Sequence, residues 1–158
     1  MKETPYLDED YRLWVLLNLV RDACLNMRRK DLLTINTTTS QVSVLDVIEI
    51  SGGKVIQGKI ADRLLRKPHS VSGILKRMYK EGLIEKKKIP NGGNRTMVTI
   101  TPKGEAVLQN SLGRGSFHRM MSSLSKEQKQ QLKSCLTTLW ESVHKEEGTK
   151  LEPFFPFV

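Results

Sequence analysis

Histidine, serine, glycine and lysine share one side of the stretch RKPHSVSGILKRMYKEGLIEKKK, residues 66–88. Pro68 suits the first turn of a helix, where its missing N–H would have had no intrahelical partner. The run reaches Lys80, and Gly82 supplies a stop. At about 3.6 residues per turn, Val71, Ile74, Leu75, Met78 and Tyr79 fall on one side. His69, Gly73, Lys76 and Lys80 fall on the other, flanked by Ser70, Ser72 and Arg77. That face suits hydrogen bonding and charge neutralisation rather than bond making. Serine and histidine near a helix start exchange hydrogen bonds with base edges or phosphates, lysine and arginine neutralise phosphates, and the helix N-terminus attracts an anion. Gly73 costs about 1 kcal/mol against alanine inside a helix. It reads either as a place where another surface approaches the backbone or as a tolerated surface glycine.

Other candidates for chemistry are sparse. His69, His118 and His144 are too scattered to argue a metal site. No glycine-rich phosphate loop, nucleophile elbow or paired-carboxylate pattern occurs, so neither catalysis nor a cofactor is expected. Cys24 and Cys135 are far apart and give no disulfide framework or zinc spacing. Cys24, in RDACLNM, lies in an apolar helix where cysteine behaves as a small hydrophobe. It is also the candidate redox residue, a role that needs exposure and a lowered pKa. Cys135 reads as core, on the apolar side of the last helix.

The elements that must position the 66–88 stretch follow from periodicity. A first helix is expected from about Leu7 to Arg29, with apolar residues over more than one face, including Tyr11, Trp14 and Leu17. TINTTTSQ reads as a loop and helix start, SQVSVLDVIEI as a second helix, and SGG as a breaker. GKIADRLLR reads as a short helix burying Ile60, Ala61, Leu64 and Leu65. Beyond the stretch, two extended segments flank Pro90-Asn91-Gly92-Gly93-Asn94, whose Asn-Gly and Gly-Gly pairs favour a tight hairpin. A further helix is weak at residues 113–115, and a final helix opens with the capping pair Ser125 and Gln128. Leu132, Leu136, Leu139, Trp140 and Val143 form its apolar stripe.

Charge separates the middle of the chain from its ends. Of 158 residues carrying a net +9, positions 53–119 hold 15 Lys/Arg against 4 Asp/Glu. The rest holds 11 against 13, so the basic excess lies wholly in the middle, as in a polyanion-binding module with flanking assembly elements. A solvated basic surface is the plain alternative. No run approaches the ~18 apolar residues of a membrane span. The acidic start MKETPYLDEDY lacks the layout of a signal peptide, so no membrane association and a cytoplasmic location are expected.

A short helix, a turn, an amphipathic helix and a basic glycine-tipped hairpin together make a winged helix-turn-helix. With GKIADRLLRKPHSVSGILKRMYKEGLIEKKK, NRTMVTITPKGEAVL and LSKEQKQQLKSCLTTL, the chain resembles the MarR family of bacterial transcription regulators. The resemblance covers nearly all of it. The implied fold is mainly α with a small β-hairpin wing: one MarR-like domain over 1–158, with a helical dimerisation region at 7–30 and 103–147. The winged helix-turn-helix DNA-binding region lies at 40–101 and a C-terminal tail at 148–158. A homodimer is implied, its interface drawing on Tyr11, Trp14, Leu17, Leu136, Leu139, Trp140, Phe154 and Phe155. It would bind a near-palindromic double-stranded DNA operator, usually as a repressor, with release by a small aromatic effector or by cysteine oxidation.

Three departures stand out. Leu65 replaces the glycine common in the helix-turn-helix corner, and Arg66 and Lys67 follow where an apolar residue and a serine are usual. The wing tip, Gly92-Gly93-Asn94-Arg95, lacks the usual aspartate. Base readout is assigned to His69, Ser70, Ser72, Gly73 and Lys76. Phosphate contact is assigned to Lys59, Arg63, Arg66, Lys67, Arg77, Lys80, Lys86, Lys87 and Lys88, and minor-groove insertion to Asn94 and Arg95. Two alternatives stay open: a redox- or ligand-sensing regulator using Cys24, or a winged-helix module for a protein or RNA partner.

Overall fold

The structure, a computed structural model, describes residues 8–113 and 115–148. The expectations placed on Phe154, Phe155 and the rest of the tail lie outside the described residues. In order the elements are α1 (Glu9–Leu33), α2 (Thr39–Ile50), β1 (Lys54–Ile56), α3 (Gln57–Arg63), α4 (Pro68–Lys80), β2 (Ile84–Lys88), β3 (Thr96–Ile100), α5 (Pro102–Leu112), α6 (Ser116–Met121) and α7 (Lys126–Glu147). The fold is mainly helical with a small antiparallel sheet, the winged-helix arrangement the sequence implies.

The core sits in the winged helix. Val44, Leu45, Val47 and Ile48 of α2 meet Ile60 and Ala61 of α3, Val71, Leu75 and Met78 of α4, and Val98 of β3. Leu32, at the end of α1, is fully buried in the same cluster. Thr38 and Gln41 form a reciprocal capping box that starts α2. Gln41 also donates through Nε2 to the Glu81 carboxylate, tying the start of α2 to the end of α4.

Four of the helices end alike. After α1, α2, α3 and α4 a residue in the left-handed region, Asn36, Gly52, Leu65 or Gly82, lets two N–H groups bond back to carbonyls of the last turn. At α3 these bonds run from Leu65 N to Asp62 O (3.1 Å) and from Arg66 N to Ala61 O (3.0 Å). Leu65 therefore occupies, at φ 51°, the place glycine fills after α4.

That conformation corrects one expectation: Leu65 is not on the buried side of α3 but 57% exposed, because the left-handed turn swings it off the helix face. Tyr79 is likewise 55% exposed, lying at the edge of the α4 stripe whose centre is Val71, Leu75 and Met78. Cys135 is exposed rather than core, because α7 turns that side away from the winged helix. The first helix runs four residues beyond Arg29, held by Leu32 in the core.

The sheet has three strands where two were expected, in the order β1-β3-β2. β1 pairs Lys54, Val55 and Ile56 with Thr99, Val98 and Met97, and β2 pairs Ile84 with Ile100 through to Lys88 with Thr96. The wing tip is not a two-residue turn either. The ladder stops at Lys88 and Thr96, and residues 89–95 form a longer loop with Asn91 and Gly93 in the left-handed region. The expected break at residues 113–115 separates α5 from α6, and the Ser125–Gln128 capping box opens α7.

Candidate nucleic-acid interface and an adjoining cavity

Turn chemistry and long-range hydrogen bonds hold α4 at the surface. Pro68 occupies its first turn, and Lys67 at the N-cap makes no side-chain cap; its carbonyl instead accepts from Ser70 N (3.0 Å) and Val71 N (3.3 Å). At its other end, Thr101 Oγ1 donates to Gly82 O (2.7 Å) and Lys103 Nζ to Glu81 O (2.6 Å). α5 therefore clamps the exit of α4. Gly104 permits the approach, since a Cβ there would stand 2.2 Å from Leu83 O.

With one side of α4 buried, His69, Ser70, Ser72, Gly73, Lys76, Arg77 and Lys80 are all exposed. A Cβ on Gly73 would meet nothing within 4 Å, so no packing inside this chain requires glycine there. Lys59, Lys67, Lys87 and Lys88 are exposed as well. Among the described residues the ion pair is Arg21 with Asp22, and the basic side chains of α4 and β2 have no carboxylate within 4 Å. Their charge faces solvent.

Three phosphate candidates stand apart from this open set. Lys86 is half-buried because strand alternation turns it to the other face from Lys87. Arg63 is half-buried with Nη1 3.4 Å from Ser51 Oγ, and Arg66 donates through Nη1 to Ser40 Oγ at 2.9 Å. Both guanidiniums already brace α2, so they are less available than the α4 lysines. At the wing, Asn94 and Arg95 are exposed, and Arg95 Nε donates to Gly92 O at 2.9 Å. A backbone carbonyl thus braces Arg95 where an aspartate is usual.

The residues expected at a subunit interface are open in the single chain: Tyr11, Trp14, Leu17, Leu136 and Leu139 are exposed and Trp140 is half-buried. Leu13, Leu16, Leu19, Val20 and Val143 join them, a larger exposed apolar surface than an isolated chain ordinarily carries.

Periodicity gives no sign of a cavity of about 400 Å³ walled by α1, α5 and α6. Its lining is Arg21, Cys24, Leu25, Met27, Arg28, Leu112, Ser116, Phe117 and Met120. Cys24 is half-buried in this wall, its Sγ 2.9 Å from Met120 Sδ. Arg28 donates to Ser111 O (2.6 Å) and Ser111 Oγ (3.2 Å), and its guanidinium lies 5.4 Å from the Phe117 ring centroid. Ser116 is buried against Asp31, its backbone N–H donating to Asp31 Oδ2 at 3.2 Å and its hydroxyl turned toward the same carboxylate. The Ser116 hydroxyl, and after it the Ser116 backbone N–H, hold the Asp31 carboxyl below the usual range against the opposing effect of burial. On α2, burial pushes the Asp46 carboxyl up to about 6, against the weaker opposing pull of Arg28. The Cys24–Met120, Arg28–Ser111 and Asp31–Ser116 pairings join residues 96, 83 and 85 positions apart, which no local pattern announces.

Comparison with known proteins adds three findings. Residues 35–93 match the family model described as the MarR family. The organohalide-sensing RdhR transcriptional regulator, solved with 2,4-dichlorophenol bound, superposes with a TM-score of 0.85 at 25% identity, covering 100% of this chain and 96% of that one. Two more distant structures share the fold alone. A mutant of MarR from E. coli, complexed with operator DNA, has a TM-score of 0.76 at 17% identity, covering 86% of this chain and 99% of its own. NadR in complex with 4-hydroxyphenylacetate has a TM-score of 0.67 at 22% identity, covering 88% and 94%. No curated protein matches the chain. Among the described residues no helix is long and apolar enough to cross a membrane.

Proposed function

We propose that the protein, whose residues 35–93 match the model of the MarR family, is a homodimeric repressor of transcription of that family. Each subunit would bind half of a near-palindromic operator and let go when a small aromatic effector enters the cavity. The observation that carries the reading is α4, whose polar and basic face is wholly exposed around a glycine that the fold itself does not need. A major groove admits one such helix. His69, Ser70, Ser72, Gly73 and Lys76 are then positioned to read base edges. Lys59, Lys67, Arg77, Lys80, Lys87 and Lys88 contact phosphates, with Arg63, Arg66 and Lys86 in lesser roles. Asn94 and Arg95 enter the minor groove, which attracts arginine where it is narrow. The open apolar faces of α1 and α7 supply the subunit interface.

The effector reading rests on the cavity. Phe117, Leu25 and Met120 offer an apolar slot, and the Arg28 guanidinium in the same wall offers a polar and charged anchor. That combination suits a planar ring carrying a hydroxyl or carboxylate. 2,4-Dichlorophenol and 4-hydroxyphenylacetate, bound by two of the similar structures, are the first probes.

The test is fluorescence anisotropy across a salt series, using the best duplex from a random-sequence selection and its scrambled version. A preference of ~10³ or more that survives physiological salt supports operator binding. Equal and steeply salt-dependent binding to both duplexes would reduce α4 to a basic surface meeting phosphates, and an RNA or acidic protein partner would then take precedence. With duplex bound, a probe phenol should lower anisotropy for the parent and not for Phe117→Ala.

A further inference from the structure

Arg28 is half-buried in the cavity wall, and among the described residues no carboxylate comes within 4 Å of it. Arg21, the other guanidinium in that wall, is paired with Asp22 at 2.9 Å. Arg28 instead donates to neutral oxygens of Ser111, the carbonyl at 2.6 Å and the hydroxyl at 3.2 Å. Ser111 is fully buried, and its own hydroxyl proton goes to Leu108 O at 2.7 Å. The oxygens at the end of α5 therefore depend on Arg28 for a donor. A guanidinium held by neutral oxygens beside an apolar cavity gains by exchanging them for a carboxylate, a stronger acceptor that it can grip with both prongs. The other end of α5 holds the exit of α4, through Thr101 Oγ1 on Gly82 O and Lys103 Nζ on Glu81 O. Gly104 leaves no slack there, because even a Cβ would strike Leu83 O. From Gly104 to Ser111 the helix runs about 10 Å without a further glycine or a proline, and Leu108 seats it in the core. A shift of its last turn is therefore carried to the α4 exit rather than absorbed.

We propose that Arg28 reads the charge of the effector: an anionic group bound in the cavity draws the guanidinium off Ser111, frees the last turn of α5, and through α5 loosens the hold on the exit of α4. The proposal rests on the effector reading above and narrows it to aromatic anions, carboxylates or phenolates. A neutral ring in the same slot leaves Arg28 on Ser111 and changes nothing at α4, since a ligand shifts an equilibrium only by its differential affinity for the two states. The linkage is reciprocal. A bound duplex, which needs α4 held, weakens the anion by the factor by which the anion weakens the duplex. Arg28 lies on α1 and acts on α4 only through Ser111 and α5, so it is a positioning residue for the reading head.

The experiment is amide hydrogen exchange by mass spectrometry on the full-length protein, with 2-naphthoate as the anion and 2-naphthamide as its uncharged counterpart. In the parent, 2-naphthoate should speed exchange at residues 108–112 and at 78–84 while residues 44–48 of the core stay protected, and 2-naphthamide should do neither. Arg28→Met should exchange fast at both places without ligand and respond no further to 2-naphthoate. It should also bind the selected duplex roughly 5- to 150-fold more weakly, with the salt slope of the parent because no phosphate contact is lost. Arg28→Lys keeps the charge and guards against misfolding of the first variant; it should still answer the anion and not the amide. Fast exchange confined to residues 108–112 in Arg28→Met would overturn the relay, since local loss of packing alone would produce it. An equal response to the amide, or none to 2-naphthoate at millimolar concentration, would overturn the anion requirement. The exchange readout needs no nucleic acid, so duplex binding without sequence preference would sink the operator reading while exchange still travelling along α5 left this proposal standing.

Discussion

Gly73 offers a perturbation in which stability and binding should move in opposite directions. It lies in the interior of α4, exposed, and a Cβ there would find nothing within 4 Å. Gly73→Ala therefore adds no clash in the free protein and removes the propensity cost of glycine, roughly 0.8–1 kcal/mol in an exposed helix interior. For a chain of this size each kcal/mol moves the Tm by about 2–4 °C, so thermal unfolding followed by circular dichroism should shift upward by about that much. If the α4 backbone lies close against base edges, the added methyl must push the helix outward. A displacement that weakens several contacts should reduce affinity at least about tenfold, equivalent to about 1.4 kcal/mol. Anisotropy with the selected duplex measures this, and the salt slope should hardly change because no charge is lost. A variant that gains stability and binds as tightly as its parent would refute the reasoning. Gly73 would then be an ordinary surface glycine, and the reading face of α4 would have to be rotated away from it.

Other substitutions separate the remaining roles. Lys76→Ala should change which sequences are selected from a random pool, whereas Arg77→Ala should weaken all sequences alike and make the salt slope shallower by about one; uniform scaling in both variants would dissolve the distinction between base and phosphate contacts. Leu65→Gly should raise stability by about 0.5–1 kcal/mol by relieving a left-handed conformation that disfavours a side chain, and an unchanged or lower Tm would show that Leu65 earns its place through a contact. For Asp46 the folded pKa of about 6 lies above the unfolded value of about 3.9. Measured against Asp46→Asn, the parent's relative stability should therefore be full below about pH 4 and lost as pH rises through about 6. Urea melts of both proteins across that window should leave the variant the more stable near neutrality, and the opposite slope would mean the carboxylate is stabilised by a charge partner.

α4 was legible because its boundaries are chemical. Pro68 opens α4, Gly82 ends it, and the spacing of Val71, Leu75 and Met78 fixes its buried side. The α7 capping box and the weak point before α6 read equally well. What escaped depends on partners distant in sequence. β1 is three residues long and becomes a strand only because Val98 and its neighbours pair with it. The conformation of Leu65 follows from how α3 closes, since nothing about leucine favours a left-handed turn. Tyr79 sits at the margin of its stripe, where one more residue of rotation decides between core and solvent. The role proposed for Arg95 rests on its residue type, but its brace, the Gly92 carbonyl, belongs to a seven-residue loop that the Asn-Gly pair made look tighter. The cavity was invisible for a related reason. Leu25, Met27 and Met120 have the same apolar character whether they close a core or line a hole, and Arg28 on Ser111 is a contact between α1 and α5, 83 residues apart.

α1 bears on how two reading heads would be spaced. Its 25 residues contain neither glycine nor proline, so the helix has no built-in hinge. Its last turns are fixed to the rest of the fold three ways: Leu32 is in the winged-helix core, Asp31 accepts the Ser116 N–H of α6, and Arg28 donates to Ser111 of α5. The open apolar surface reaches Trp14, about 27 Å before Leu32 along the same rod. If that surface pairs with a second copy, the separation of the two α4 helices is set through a stiff element rather than a linker. A flexible tether would tolerate several half-site spacings with similar affinity. A rigid one should accept a single spacing near one helical turn of DNA, ~34–36 Å, and lose affinity steeply when one or two base pairs are inserted between half-sites.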